Sequence, residues 1–246
     1  MNFLYHIGKY FMMLRSVFKK PQNRKIYTRQ ILTEFHTIGK ESVLIVAIIS
    51  LFMGAAVSLQ LAFNIDFPLI PKYTIGFATR QSVVLEFSPT LISILLAGTV
   101  GSSIASGIGT MRVTEQIDAL EIMGVNSSTY LILPKIVAFM LVNPLLIMMS
   151  MIIAVFGGWL IGVLTGAFPS EDYIYGVRSF FRMYDIYYAL IKTVVFAFII
   201  SSISAYFGYN VRGGSLEVAK ASTNAVIYSS ITIIIFNLIL TQLLLS

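Results

Sequence analysis

The 246-residue chain is 57% hydrophobic and only 11% charged, whereas soluble domains run at roughly 45–50% apolar and 25% charged. A water-soluble core of this size cannot hide that much apolar surface, so the composition implies an integral membrane protein. The lack of cysteine excludes a disulfide framework and a thiolate metal site, and the net charge of +6 is too unevenly distributed for a nucleic-acid footprint.

Eight of the 17 Lys/Arg lie within residues 1–42: Lys9, Arg15, Lys19, Lys20, Arg24, Lys25, Arg29 and Lys40. A basic flank ahead of a first span places that flank on the cytoplasmic side and favours anionic headgroups. Within it, Phe3, Leu4, Ile7, Phe11, Leu14 and Phe18 recur at helical spacing, while Lys9, Ser16, Lys19 and Lys20 fall largely off the stripe. This predicts an amphipathic helix lying in the membrane interface rather than one packed on a soluble surface. Residues 1–42 contain neither an uninterrupted apolar core nor a small-residue cleavage site, so the N-terminus is expected to be retained. His6 and His36 have no carboxylate cluster around them, so no metal site and no catalytic base is expected.

The remainder, 43–246, reads as a transmembrane domain with apolar runs at about 43–63, 83–108, 131–165, 186–208 and 222–245. The third run exceeds one upright span. Its internal breaks, Asn143-Pro144 and Gly157-Gly158, would each leave a fragment too short to cross, so a single tilted or overhanging helix is predicted. With five spans and a cytoplasmic N-terminus, the inner segments carry twelve basic residues and the outer segments four, Lys72, Arg80, Arg178 and Arg182. A hairpin in the third run would give the same totals, so charge supports the orientation but not the number of spans. Five spans put the C-terminus outside.

Three polar residues stand out within or at the ends of these runs. Glu86 and Lys192 each lie a few residues from the outer end of a run, where they either snorkel to the interface or pair in an outward-facing polar patch. Pro89 predicts a local break beside Glu86, and Gln60 could face the same cavity. The small-residue run GTVGSSIASGIG, 98–109, has no preceding strand and reads as helix packing rather than a nucleotide loop. The chain has no phosphate-loop motif, so any ATP would be bound by another chain.

Residues 109–124, GTMRVTEQIDALEIMG, form the most polar segment between runs. Val113, Ile117 and Leu120 mark one face and Glu115, Asp118 and Glu121 another, with Gly124 placed to end a helix. This predicts a short amphipathic helix with an acidic face, serving either as a solvated connector or as a docking helix.

The stretch AGTVGSSIASGIGTMRVTEQIDALEIMGV, 97–125, resembles the signature of the MCE-associated, Mla-type (MlaE-like) ABC permease family. Supporting similarity runs through FMGAAVSLQ (52–60), LEFSP (85–89), YLILPKIVA (130–138), IKTVVFAFI (191–199) and residues 213–230. The resemblance implies an all-α membrane subunit with an N-terminal interfacial helix, five spans and a cytoplasmic coupling helix between spans two and three. It further implies a homodimer in the bacterial inner membrane, a separate cytosolic ATPase carrying ATP and Mg, a periplasmic MCE-domain partner and a phospholipid cargo. By the same resemblance Met111, Arg112, Glu115, Gln116 and Asp118 meet the ATPase, while Gln60, Glu86 and Lys192 line or approach the lipid cavity. The chain departs from the family pattern at Leu85, Thr99, Gly107 and Asn126-Ser127. The resemblance makes this a non-catalytic permease subunit. An ion-coupled secondary transporter and a non-transporting membrane scaffold are the rival readings, though no internal repeat favours the former.

Overall fold

The computed structural model describes residues 2–18, 24–65 and 70–245, with side chains at 5–18, 25–65 and 70–244. Phe3 and Leu4 of the predicted stripe, and the basic side chains Lys19, Lys20 and Arg24, lie outside the described side chains. The described residues contain helices and no strand: α1 (Asn2–Val17), α2 (Arg24–Asn64), α3 (Tyr73–Ser82), α4 (Ile92–Leu96), α5 (Ser102–Val113), α6 (Gln116–Ile122), α7 (Ser127–Thr165), α8 (Ser170–Arg178), α9 (Met183–Tyr209) and α10 (Ser215–Leu245). Wide π-helical turns at Val83–Leu91 and Ala97–Gly101 join α3, α4 and α5 into one continuous helical stretch. Among the described residues, five helices are long and apolar enough to cross a bilayer: Lys25–Asn64, Tyr73–Val113, Ser127–Thr165, Met183–Tyr209 and Ser215–Leu244. The chain is an all-α integral membrane protein.

The spans exceed the apolar runs that predict them because helical backbone continues into polar sequence. At 1.5 Å per residue the 39 residues of α7 extend nearly 60 Å, about twice a hydrocarbon core. Neither suspected break interrupts α7, so the long third run is indeed one helix. Gly157 and Gly158 mark contacts instead.

The chain divides into two compact units, one of residues 1–40, 94–143 and 194–246, the other of 41–93 and 144–193. In the second unit, α2 and α7 cross at reciprocal glycines. A methyl group added at Gly54 would fall 1.8 Å from the Ala154 carbonyl oxygen, and one at Gly157 would fall 2.2 Å from that of Leu51. Only a missing side chain lets the two backbones come so close. Alongside, Ser50 donates to Ser150 at 2.8 Å and Ser150 to Ser88 at 3.1 Å, a buried hydroxyl chain from α2 through α7 to the first wide turn. Helices α3 and α8 repeat the glycine device, Gly76 lying against the Tyr173 backbone and Gly176 against that of Tyr73. Tyr173 reaches from α8 to the Val155 carbonyl at 3.1 Å and stacks on Phe168, in a cluster with Ala62 and Ile75. Burial pushes its phenol above the usual pKa, with hydrogen bonds to Ser58 and Thr79 opposing the shift.

In the first unit, the small-residue run packs as predicted at only some positions. Gly101 meets Ser204 and Ile200, Gly109 meets Val211 and Val218, and Gly208 lies against the Ala105 backbone, but Gly98 and Gly107 face open space. Helix α1 docks a mixed face: His6 Nδ1 and the Tyr206 hydroxyl are 2.8 Å apart, as are the Tyr10 and Ser202 hydroxyls, with Met13 and Val17 buried. Of the described stripe residues, Ile7, Phe11 and Phe18 are exposed and Leu14 is half-buried, so most of the sequence stripe is the unpartnered face. Lys135 and Glu34 form an ion pair between α7 and α2.

Replacing Gly157 by alanine should lower the thermal midpoint in detergent, at a cost of about 1–3 kcal/mol, whereas Gly98→Ala should leave it within the error of a fluorescence-detected unfolding curve.

Candidate functional site

The ionisable residues singled out in spans two and four come together. Lys192 on α9 donates to Glu86 Oε1 at 3.0 Å, to the Tyr188 hydroxyl at 2.8 Å and to the Leu85 carbonyl at 3.4 Å. Its ammonium also sits 4.7 Å from the Tyr188 ring centroid. Glu86 accepts in addition from Tyr188 at 3.3 Å and, through Oε2, from Thr90 at 3.3 Å. Of the two readings of these residues, pairing is the one observed, and snorkelling is not.

Local sequence explains the arrangement. Proline has no amide hydrogen, so in an α-helix Pro89 would leave the Leu85 carbonyl without its partner. Here the turn widens, the predicted break becomes a π-helical segment, and the Leu85 carbonyl accepts from Lys192. Tyr188 lies one turn before Lys192 on the same face, a signal that sequence reading alone passed over. The Lys192 side chain is 0% exposed, whereas that of Glu86 is 38% exposed. The lysine charge is thus answered internally, and the open edge of the site is the carboxylate. Gln60 is exposed on α2 and does not join this cluster.

The second candidate segment is not the single helix 109–124 expected from sequence. Helix α5 ends at Val113, Glu115 takes a left-handed φ of 61°, and α6 begins at Gln116. The break lets the chain turn so that Arg112 meets Asp118 at 2.6 Å, with Asp118 in the first turn of α6, where the helix dipole favours an anion. The α6 C-terminus closes as expected at Gly124 (φ 75°) in a Schellman motif, Gly124 N–H donating to Glu121 O and Val125 N–H to Leu120 O. Asn126 then caps α7 by accepting from the Thr129 amide at 3.3 Å.

The predicted acidic face is divided by this geometry. Glu115 and Gln116 are exposed and Met111, Arg112 and Asp118 half-buried, while Glu121, also exposed, turns back onto its own chain to accept from Ser127 at 2.8 Å and Tyr209 at 3.0 Å. The Arg112 guanidinium stands 5.9 Å from the Tyr209 ring centroid. Ile117 is buried, as its apolar face predicts, and Val113 packs against Val211, Val218 and Ala221. Ile122 and Met123, by contrast, are 87% and 68% exposed at the α6 tip. Sequence periodicity did not single them out, because only the bend at Glu115 turns that end outward.

One cationic site is absent from the sequence reading altogether. Arg80, counted there only as a flanking charge, is 5% exposed. It donates to the carbonyls of Val177 at 2.8 Å, Ser179 at 2.9 Å and Phe180 at 3.3 Å, between the rings of Phe77 and Phe181. Phe180 takes a left-handed φ of 52° as its carbonyl joins this clamp.

Two outcomes follow. Glu86→Gln should destabilise the protein by leaving Lys192 buried beside a neutral group, by less than the roughly 3–5 kcal/mol of a fully enclosed pair because Glu86 is partly exposed. The double substitution Glu86→Gln/Lys192→Met should recover much of that loss, read as thermal midpoints of the three forms. The Ser127 hydroxyl first, and then that of Tyr209, holds the Glu121 carboxyl below its usual pKa. A depressed carboxylate pKa stabilises the fold above the ordinary Glu range, and the contribution is lost as pH falls through the folded value. Hydrogen-exchange protection of residues 116–126 should therefore persist on acidification further in wild type than in Tyr209→Phe.

The sequence matches the family described as Permease MlaE over residues 31–243. It is 36% identical over 237 residues to a probable ABC transporter permease protein of Rickettsia bellii, covering 96% of this chain and 91% of that protein. It is 30% identical over 236 residues to the intermembrane phospholipid transport system permease protein MlaE of Haemophilus influenzae, covering 95% and 89%. It is also 32% identical over 228 residues to the chloroplastic protein TRIGALACTOSYLDIACYLGLYCEROL 1 of Arabidopsis thaliana, covering 89% of this chain and 62% of that protein. The match reaches into all five spans and takes in the Glu86–Lys192 pair and α6, and with it the chain belongs to the MlaE permease family of ABC transporters.

Proposed function

We propose that the chain is the permease subunit of a transporter that moves phospholipid between the inner membrane and a periplasmic MCE-domain partner. A separate cytosolic ATPase, holding ATP and Mg, drives it. The observation that carries this reading is α6: a short helix outside the spans, latched to its own chain by Arg112–Asp118 and by the Glu121–Ser127–Tyr209 network. Such a latch suits a coupling helix, because a push on α6 from the cytosol passes through fixed contacts to the ends of α5, α7 and α9. The exposed positions Glu115 and Gln116 and the apolar tip Ile122–Met123 supply the contact surface. Met111, Arg112 and Asp118 shape that surface from behind.

The basic N-terminal flank supports a cytoplasmic N-terminus, an interfacial α1 and a periplasmic C-terminus. The name of the Haemophilus relative supports phospholipid as cargo. In this reading two copies of the permease assemble, and the Glu86–Lys192 cluster and Gln60 act as polar stations at the outer side of the lipid path. The carboxylate edge of Glu86 yields Lys192 to a lipid phosphate when the pair opens.

Ile122→Glu with Met123→Glu should abolish co-purification of the co-expressed partner ATPase while the variant stays membrane-inserted and monodisperse. Normal co-purification overturns the docking assignment. In proteoliposomes holding the complete complex, Lys192→Met should cut ATP-dependent transfer of labelled phospholipid at least ten-fold; undiminished transfer removes Lys192 from the path.

A further inference from the structure

Apart from the Glu86–Lys192 cluster, the second unit contains a pocket of about 220 Å³ between α7 and α8. Its walls include Ile152, Phe156 and Trp159 of α7 and Ile174 and Val177 of α8, and Arg178 also lines it. The volume falls below the roughly 300–1,000 Å³ of sites that enclose a whole small molecule, and the walls are apolar, so the pocket suits a length of hydrocarbon chain. It opens on a face of α7 where Ile152 is 72% and Phe156 52% exposed, an apolar surface of the kind that suits contact with lipid.

The charge at the pocket narrows the occupant further. Arg178 is exposed and has no carboxylate partner among the described residues, and the acidic residues of α8, Glu171 and Asp172, stand in its first turn, at the opposite end. A guanidinium beside a membrane span calls for an anion, and its planar fork matches a phosphate. The side chain is also held in place from behind. Arg80 donates to the carbonyls on either side of it, those of Val177 and Ser179, and the Gly76 and Gly176 contacts press α8 onto α3. A second arginine, itself buried, thus fixes the backbone that presents the first.

We infer that this pocket holds one acyl chain of an anionic membrane lipid whose phosphate engages Arg178. The lipid is a resident one, distinct from transported cargo, and the inference shares no residue with the translocation reading above.

Trp159 is the sole tryptophan of the chain and lines the pocket, so its fluorescence reports from the pocket wall. The full-length protein is placed in phosphatidylcholine bilayer discs that contain a minor fraction of lipid brominated on the acyl chain, either phosphatidylglycerol or phosphatidylcholine. Brominated phosphatidylglycerol should quench Trp159 with an apparent affinity about five-fold higher than brominated phosphatidylcholine, the increment expected for one basic residue at a membrane surface. Arg178→Gln should bring the two lipids to parity, and Arg178→Lys should retain most of the preference. Equal quenching by both lipids in wild type, or a preference that survives Arg178→Gln, overturns the inference. Quenching by neither lipid overturns it as well, since a second copy or a partner helix would then fill the pocket.

Discussion

Inside a bilayer there is no water to replace the hydrogen that proline lacks, and the second span is organised around that missing donor at Pro89. A soluble helix could break there and let solvent bond the freed carbonyl. Here the helix widens to keep its backbone paired, and the carbonyl left by the proline helps to seat Lys192. The lysine in turn needs a countercharge, which Glu86 supplies from the same wide turn. A proline, a widened turn and a buried ion pair thus form one chain of requirements, each satisfying the one before.

Arg80 obeys the same rule by a different route. With three carbonyl acceptors and two aromatic rings around it, its charge is spread over neutral partners, and Asp185 is within Coulombic range. Lys192 instead meets a single full charge and a phenol. The difference fits the two side chains, since a planar guanidinium with five donors can satisfy several carbonyls at once, whereas an ammonium is a compact point charge. The first arrangement holds a loop in place, and the second ties two spans together through one ion pair.

Sequence reading recovered what hydropathy and helical period control: the five spans, the unbroken third helix, the amphipathic α1 and the helix stop at Gly124. It paired Glu86 with Lys192 only as one option, because sequence separation carries no distance. It treated 109–124 as one helix, since nothing in TMRVTEQ marks Glu115 as left-handed; a glycine there would have done so. The apolar tip of α6 and the clamp at Arg80 were hidden for the same reason, as each depends on where a bend aims a side chain. The departure from the family pattern at Asn126-Ser127 has a clear structural role: Asn126 caps α7, and the Ser127 hydroxyl ties α7 to Glu121 and Tyr209.

The crossing of α2 and α7 bears on how this fold can vary over time. Where two side chains touch, a larger residue on one helix can be offset by a smaller one on the other, and the two positions drift together across descendants. Gly54 and Gly157 each abut main chain, namely Ala154 and Leu51. Main chain is the same whatever residue the opposing position carries, so no second substitution can make room. A larger residue at either glycine must instead push the two helices apart, so the crossing resists the compensated exchange by which other helix contacts drift in pairs.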